Sequence, residues 1–227
     1  MQKIKPAIVQ FDGNCYLRIP IRTHEIKPPD DLKDVLLRYV SGLVRPGDLL
    51  VLSSKAVAAA QGRLIPSKEI KPRKLARFLA NKVTKTPYGI GLGSPETMEM
   101  AIRECGLWRI LLASFFGLIG KLFKIKGLFY VIAGRQAAWI DGDAPYGVLR
   151  GYVVLGPKAP GKTCKELSEL LRVPVAIMDV NDIGGCEICG ASSGISKEVL
   201  LALMRDNPLG QDVEYTPIGI IRKLPKQ

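Results

Sequence analysis

The chain has 227 residues and a mass of 24.8 kDa, enough for one large domain or two small ones sharing a core. Apolar residues make up 47% and charged residues 24%, which excludes intrinsic disorder and a small disulfide-stapled scaffold. The 33 Lys and Arg against 21 Asp and Glu give a net charge of +12, a field that favours nucleotides, phosphorylated metabolites and other anions.

The basic residues run from Lys3 to Lys226 without a recognisable reader motif, so no nucleic-acid binding is expected. Five unevenly spaced cysteines and no leader-like opening run fit a reducing, cytoplasmic setting. The single tight cysteine pair, Cys186 and Cys189, has only the distant His24 as a histidine partner. It reads either as buried or turn cysteines or as part of a metal or redox site.

In chain order, Cys15 to Ile21 reads as a short strand. Asp30 and Asp31 precede Leu32, Val35, Leu36, Tyr39 and Val40, whose three- and four-residue spacing predicts an amphipathic helix with acidic N-terminal capping. The turn Arg45-Pro-Gly-Asp48 leads into an apolar strand at Leu49 to Leu52. That strand runs into Ser53-Ser-Lys-Ala-Val-Ala-Ala-Ala-Gln-Gly-Arg63, where small side chains permit close approach and Lys55 brings a positive charge. The glycine spacing of a P-loop is absent.

Leu75, Phe78 and Leu79 form the predicted inner face of a helix from Pro72 to Lys82. Tyr88 to Gly93 is a glycine-rich loop, followed by a helix that Ser94, Pro95 and Glu96 begin and that buries Met98, Ala101, Ile102 and Cys105. The apolar segment from Leu107 to Ile132 is interrupted by Lys121, Lys124 and Lys126, and its longest uncharged run is too short to span a bilayer. No stable membrane insertion is expected. Residues 107–126 read as a hydrophobic cap or an interface insertion; the segment also fits a helix buried between domains followed by a core strand, or an amphipathic element that touches membrane, a lipid-like ligand or a partner subunit.

Leu128 to Ile132, Val148 to Leu155, Val173 to Met178 and Ile218 to Leu224 are predicted strands. Thr163-Cys-Lys-Glu166 is a predicted capping box, and Ser196 is the predicted cap of a later helix. No repeat or linker divides the chain, so the expectation is one α+β unit over 1–227, with mixed sheets and packed helices. Two acidic clusters end apolar stretches: Asp141 with Asp143, and Asp179 with Asn181, Asp182 and Glu187. Such carboxylates serve either as hard-cation ligands for Mg²⁺ or Mn²⁺ or as turn residues that bond their own backbone.

The stretch Ile19–Arg63, IPIRTHEIKPPDDLKDVLLRYVSGLVRPGDLLVLSSKAVAAAQGR, resembles the coenzyme F420-0:L-glutamate ligases, the gamma-glutamyl ligases of deazaflavin biosynthesis. The likeness lies in an opening strand with a Thr turn, an Asp-Asp-Leu helix, and a Gly-Asp strand that delivers Ser-Lys and closes on Gly-Arg. It continues more loosely through Val131 to Pro145 and Val173 to Gly185. Ala137-Ala-Trp-Ile140 stands where the family has Asn-Ala-Gly-Ile, and Val180 stands where it has a Thr or Ser.

The resemblance implies a two-part α+β ligase architecture, a homodimer, and GTP used with Mg²⁺ or Mn²⁺. It further implies that a substrate carboxylate is activated as an acyl phosphate and then joined to the amino group of L-glutamate. On that likeness Lys55, Asp141 and Asp179 are the catalytic residues, and Ser54, Lys55, Gly62 and Arg63 contact nucleotide or anionic substrate. Asp141, Asp179 and Asp182 are then the metal ligands. The alternative is a noncatalytic binding or regulatory protein for a phosphorylated or deazaflavin-like ligand, suggested by Val180 and the altered segment after it.

Overall fold

A computed structural model describes residues 5–83, 91–125, 127–142, 149–182, 185–210 and 215–225. They form two compact units, residues 1–62 with 157–227 and residues 63–156. The mixture of helices with two sheets agrees with the α+β expectation.

The first unit opens with the hairpin β1 (Ile8–Phe11) and β2 (Asn14–Ile21). Helix α1 (Leu32–Tyr39) follows. The Asp31 carboxylate caps it by accepting from the Lys33 N–H at 2.7 Å, and Leu32, Val35 and Leu36 form its buried face. Strand β3 (Leu49–Ser53) is buried at Leu50, Val51 and Leu52 and leads at once into α2 (Ser54–Ala60), whose Val57, Ala58 and Ala59 are buried. The small-residue stretch that follows the strand is therefore mostly helical.

In the second unit, β4 (Leu64–Pro66) precedes helices α3 (Lys74–Ala80), α4 (Pro95–Cys105), α5 (Leu107–Leu122), α6 (Leu128–Ala133) and α7 (Arg135–Ala138). Strand β5 (Tyr152–Val154) returns to pair antiparallel with β4. The Ser94 hydroxyl accepts from the Thr97 N–H and the Thr97 hydroxyl from the Ser94 N–H, a reciprocal cap that starts α4 at Pro95. Met98, Ala101 and Ile102 then pack with Ala76, Leu92, Ile110, Ala113, Ala137 and Val153. The segment Leu128–Ile132, expected as a strand, is helix α6. It packs on α5 where Gly117 and Gly120 leave room, for a Cβ on Gly120 would lie 2.8 Å from the Ile125 carbonyl oxygen. Lys126 and Tyr88–Ile90 lie outside the described residues.

The chain re-enters the first unit through α8 (Pro160–Leu171), β6 (Val175–Val180), β7 (Cys186–Ala191), α9 (Lys197–Met204) and β8 (Ile218–Lys223). Helix α8 starts three residues before the expected Thr163 cap, so Thr163 lies inside its first turn. The Ser196 hydroxyl does cap α9, accepting from the Val199 N–H at 3.3 Å. The six-stranded sheet runs β1-β2-β8-β3-β6-β7, and β3 with β6 is its single parallel pair among the described residues. Val175 to Met178 are all buried, the continuous apolar run of a strand covered on both faces. Leu200, Leu203 and Met204 of α9 cover one face with Val51, Ala176, Met178 and Ile221.

Candidate functional site

The β3–β6 register aligns Ser53 with Met178, so the next residues, Ser54 and Asp179, emerge side by side at the carboxyl end of the parallel pair. Carboxyl ends of parallel strands are where backbone direction changes and ligands are commonly held. Ser54 is 5% exposed, and its hydroxyl donates to Asp179 Oδ1 at 3.2 Å. This bond orients a half-buried carboxylate from a rigid strand. Lys55 is the next residue of α2 and is also half-buried. Sequence order alone thus delivers a hydroxyl and an ammonium to the start of α2, while the sheet brings Asp179 to the hydroxyl from 125 residues away.

Gly62 and Arg63 close the Ser-Lys segment in different ways. Gly62 is exposed and turns the chain after α2 at φ +68°, its N–H donating to the Ala59 carbonyl at 2.9 Å. Arg63, in the second unit, donates Nε to the Gly156 carbonyl at 2.5 Å and a terminal nitrogen to Glu104 at 2.5 Å. Its guanidinium therefore has a structural task, holding the ends of the 63–156 segment to α4.

Asp141 belongs to the second unit, where its backbone bridges to Val154 through bonds of 2.9 and 3.0 Å. Its carboxylate accepts from the Gly142 N–H at 2.9 Å, the local bond that the turn alternative predicted. Asp182 is exposed and takes the Lys5 ammonium at 2.6 Å and the Asn207 amide at 3.0 Å. The two remaining metal candidates thus differ from Asp179 in what already engages them. Asp143 lies outside the described residues.

Among the described residues no group of three or more His, Cys, Asp or Glu converges as a metal cage. A Mg²⁺-type site does not require one, since such a cation keeps several waters and binds through one or two carboxylates plus phosphate oxygens. Asp179, held by a hydroxyl at a strand end, fits that limited donor set. The cysteines form no disulfide among the described residues. Cys186 packs beneath α9 with Ile188 and Ala191, whereas Cys189 sits at the bulge beside Ile177 and outside that cluster. Burial pushes the Cys186 thiol up, Arg205 opposes the rise and the Asp179 charge adds to it.

Two features near these residues had no signal in the sequence. Gln61 clasps the approach to α8: its carbonyl accepts from the Lys158 N–H at 2.7 Å, and its amide donates to the Lys158 carbonyl at 3.1 Å and to Thr163 Oγ1 at 3.3 Å. Glu104 is the partner of Arg63. Both pairings join residues more than forty positions apart, beyond the reach of spacing arguments. A cleft of about 580 Å³ in the first unit is lined by Arg45, Asp48, Arg222 and Lys223 and by none of the predicted site residues.

A model of the F420-0:gamma-glutamyl ligase family matches residues 20–182. The chain is also similar to the coenzyme F420:L-glutamate ligase of Methanopyrus kandleri, 27% identical over 153 residues that make up 67% of this chain and 52% of that protein. It spans about half the length of the curated relative it matches. The matched region includes α1, β3, α2 and Asp179.

Proposed function

The chain belongs to the F420-0:gamma-glutamyl ligase family, and on that premise we propose that it is a nucleotide-dependent ligase forming an amide between an amino acid and a substrate carboxylate. The amino acid is L-glutamate and the cosubstrate GTP. The substrate carboxylate takes the terminal phosphoryl group, GDP leaves, and the glutamate amine displaces phosphate from the acyl phosphate to give the amide. The observation that carries this reading is the Ser54–Asp179 hydrogen bond at the carboxyl ends of β3 and β6, inside the region that the family shares.

In this proposal Asp179 is the principal carboxylate for Mg²⁺ or Mn²⁺, and Ser54 fixes its rotamer. A divalent cation there would neutralise charge on phosphate oxygens. Lys55 supplies a second positive charge on the nucleotide or acyl phosphate side, where fixed charge lowers the cost of phosphoryl transfer. Asp141 is proposed as a further metal carboxylate and Asp182 as a weaker one, because Lys5 already compensates its charge and the Asn207 amide donates to the same oxygen. Gly62 and Arg63 shape the segment that follows the Ser-Lys pair, and the working form is proposed to be a homodimer.

Calorimetric titration of GTP with and without Mn²⁺ tests the reading. Binding that strengthens with Mn²⁺ and weakens in folded Asp179→Asn and Asp141→Asn protein supports it. GTP binding that ignores both the cation and Asp179 overturns it.

A second reading, a binding or regulatory protein on the same scaffold, is favoured by Val180. This residue follows Asp179 and packs into the cluster beneath α9 in place of offering a hydroxyl. It predicts retention of a phosphorylated ligand without nucleotide turnover, and an amide product dependent on Asp179 would refute it.

A further inference from the structure

The second unit has an unusual concentration of charge and of exposed apolar surface. Its sequence, 63–156, contains 15 Lys and Arg against 6 Asp and Glu, a net of +9 out of the chain's +12. Within it, residues 107–140 carry Arg109, Lys121, Lys124, Lys126 and Arg135 and no acidic residue. Two carboxylates of the preceding helix are already compensated, Glu99 by Arg73 and Arg103 and Glu104 by Arg63.

Helix α5 turns one side to its own unit through Ile110, Ala113 and Gly120. The outer side leaves Trp108 81%, Leu118 68% and Leu122 78% exposed, and Phe123 in the following turn is 68% exposed. Lone exposed hydrophobic residues need no explanation, but a run of aromatic and leucine side chains along a helix and its turn marks an interaction surface. Lys124 stands at the turn end of that run together with Lys121, whose ammonium also donates to the Lys82 carbonyl at 2.7 Å.

We propose that the α5–α6 hairpin docks this face on an anionic bilayer surface, lying in the interface without crossing it. The 16 residues of α5 extend about 24 Å, less than a hydrocarbon core of about 30 Å. Among the described residues no single helix is long and apolar enough to span, and α4 meets α5 at a bend of 119° with most of its own residues buried. An interfacial helix needs a bulky apolar face to enter the acyl boundary and cations to meet the headgroups, and α5 with its turn supplies both. Charge decides between the occupants. A second copy applied to the same face would bring two units of net charge +9 together, whereas acidic headgroups complement that charge.

Co-sedimentation of the full chain with phosphatidylcholine vesicles, with and without phosphatidylserine, tests the proposal. Binding is expected to the phosphatidylserine vesicles, to weaken with salt, and to shift tryptophan emission to the blue in a manner lost in Trp108→Phe. Each of Lys121→Gln and Lys124→Gln should weaken it about fivefold, and Trp108→Ser with Leu122→Ser should abolish it. These side chains are exposed, and circular dichroism checks that the variants keep the fold. No binding to phosphatidylserine vesicles at low salt overturns the proposal, as does binding that these variants leave unchanged. A drop in solution mass in the Trp108/Leu122 variant without vesicle binding by the original chain assigns the face to a second copy and equally overturns it.

Discussion

Replacing Asp48 by Asn should destabilise the first unit in a pH-dependent way. Asp48 is 2% exposed at the entry to β3, and its carboxylate accepts from Arg222 Nε at 2.9 Å, from the second Arg222 nitrogen at 2.8 Å and from the Arg45 N–H at 2.8 Å. An amide keeps one accepting oxygen but turns an NH₂ group toward donors, leaving the Arg222 charge without its counterion. Breaking a buried pair costs roughly 3–5 kcal/mol, and the partial exposure of Arg222 places this case near the lower figure. With a urea slope of about 2 kcal/mol/M the midpoint should fall by about 1.5 M.

Burial raises the carboxyl's proton affinity, but the bonds from Arg222 and Arg45 outweigh it and hold Asp48 below the ordinary aspartate range. A carboxylate whose folded value is depressed adds stability above its unfolded value and loses it as pH falls through the folded one. The advantage over the Asn variant should therefore be complete at neutral pH and shrink below about pH 4. Urea unfolding followed by circular dichroism measures it, with hydrogen exchange at β3 and β8 to locate the loss, because Trp108 and Trp139 both lie in the second unit. Equal destabilisation at neutral and acid pH would refute the reasoning.

Ser54→Ala should leave the fold intact and weaken Mn²⁺-dependent nucleotide binding about tenfold, the usual scale for losing a partner that orients a metal carboxylate; unchanged affinity by calorimetry would contradict the assigned role. Gly190→Ala should lower the melting temperature by 5 °C or more, on the order of 2 kcal/mol of overpacking, because its Cβ would lie 2.5 Å from the Pro160 carbonyl carbon and 2.7 Å from the Gly161 nitrogen. A melting curve matching that of the original chain would show that α8 and β7 separate easily. Burial pushes the Cys164 thiol up to about 11, so iodoacetamide at mildly alkaline pH should label it only after unfolding. Labelling in the native state at the rate of half-buried Cys15 would contradict this.

Local chemistry made much of the fold legible. Asp31, Ser94 and Ser196 start the helices they were expected to start, and β2, β3, β6 and β8 lie where apolar runs indicated strands. Leu128–Ile132 failed because an unbroken apolar run has no period of its own. Packing of Phe129 and Leu128 against Gly117 and Gly120 goes with the helical outcome. Strand β7 was missed because Cys186 to Ala191 is short, glycine-containing and bulged, with little alternation to read. Positive charge looked evenly spread along the chain, and its concentration in one unit emerged only once the boundaries at 62/63 and 156/157 were known. In the site, Ser54 and Asp179 were each readable as strand-end residues. Their pairing depends on β3 and β6 being parallel neighbours, a long-range fact that no local pattern contains.

The proposed function is nucleotide-dependent amide formation at an edge organised by Asp179. Incubating the chain with F420-0, L-glutamate, GTP and Mn²⁺, with mass spectrometry of the products, tests that proposal most directly. A glutamyl adduct formed with stoichiometric GDP, and reduced more than about 100-fold in folded Asp179→Asn protein, is the predicted result, a loss beyond what an outer-shell partner costs. Ligand retained without any adduct, or an adduct formed equally well by the Asn variant, would contradict the account.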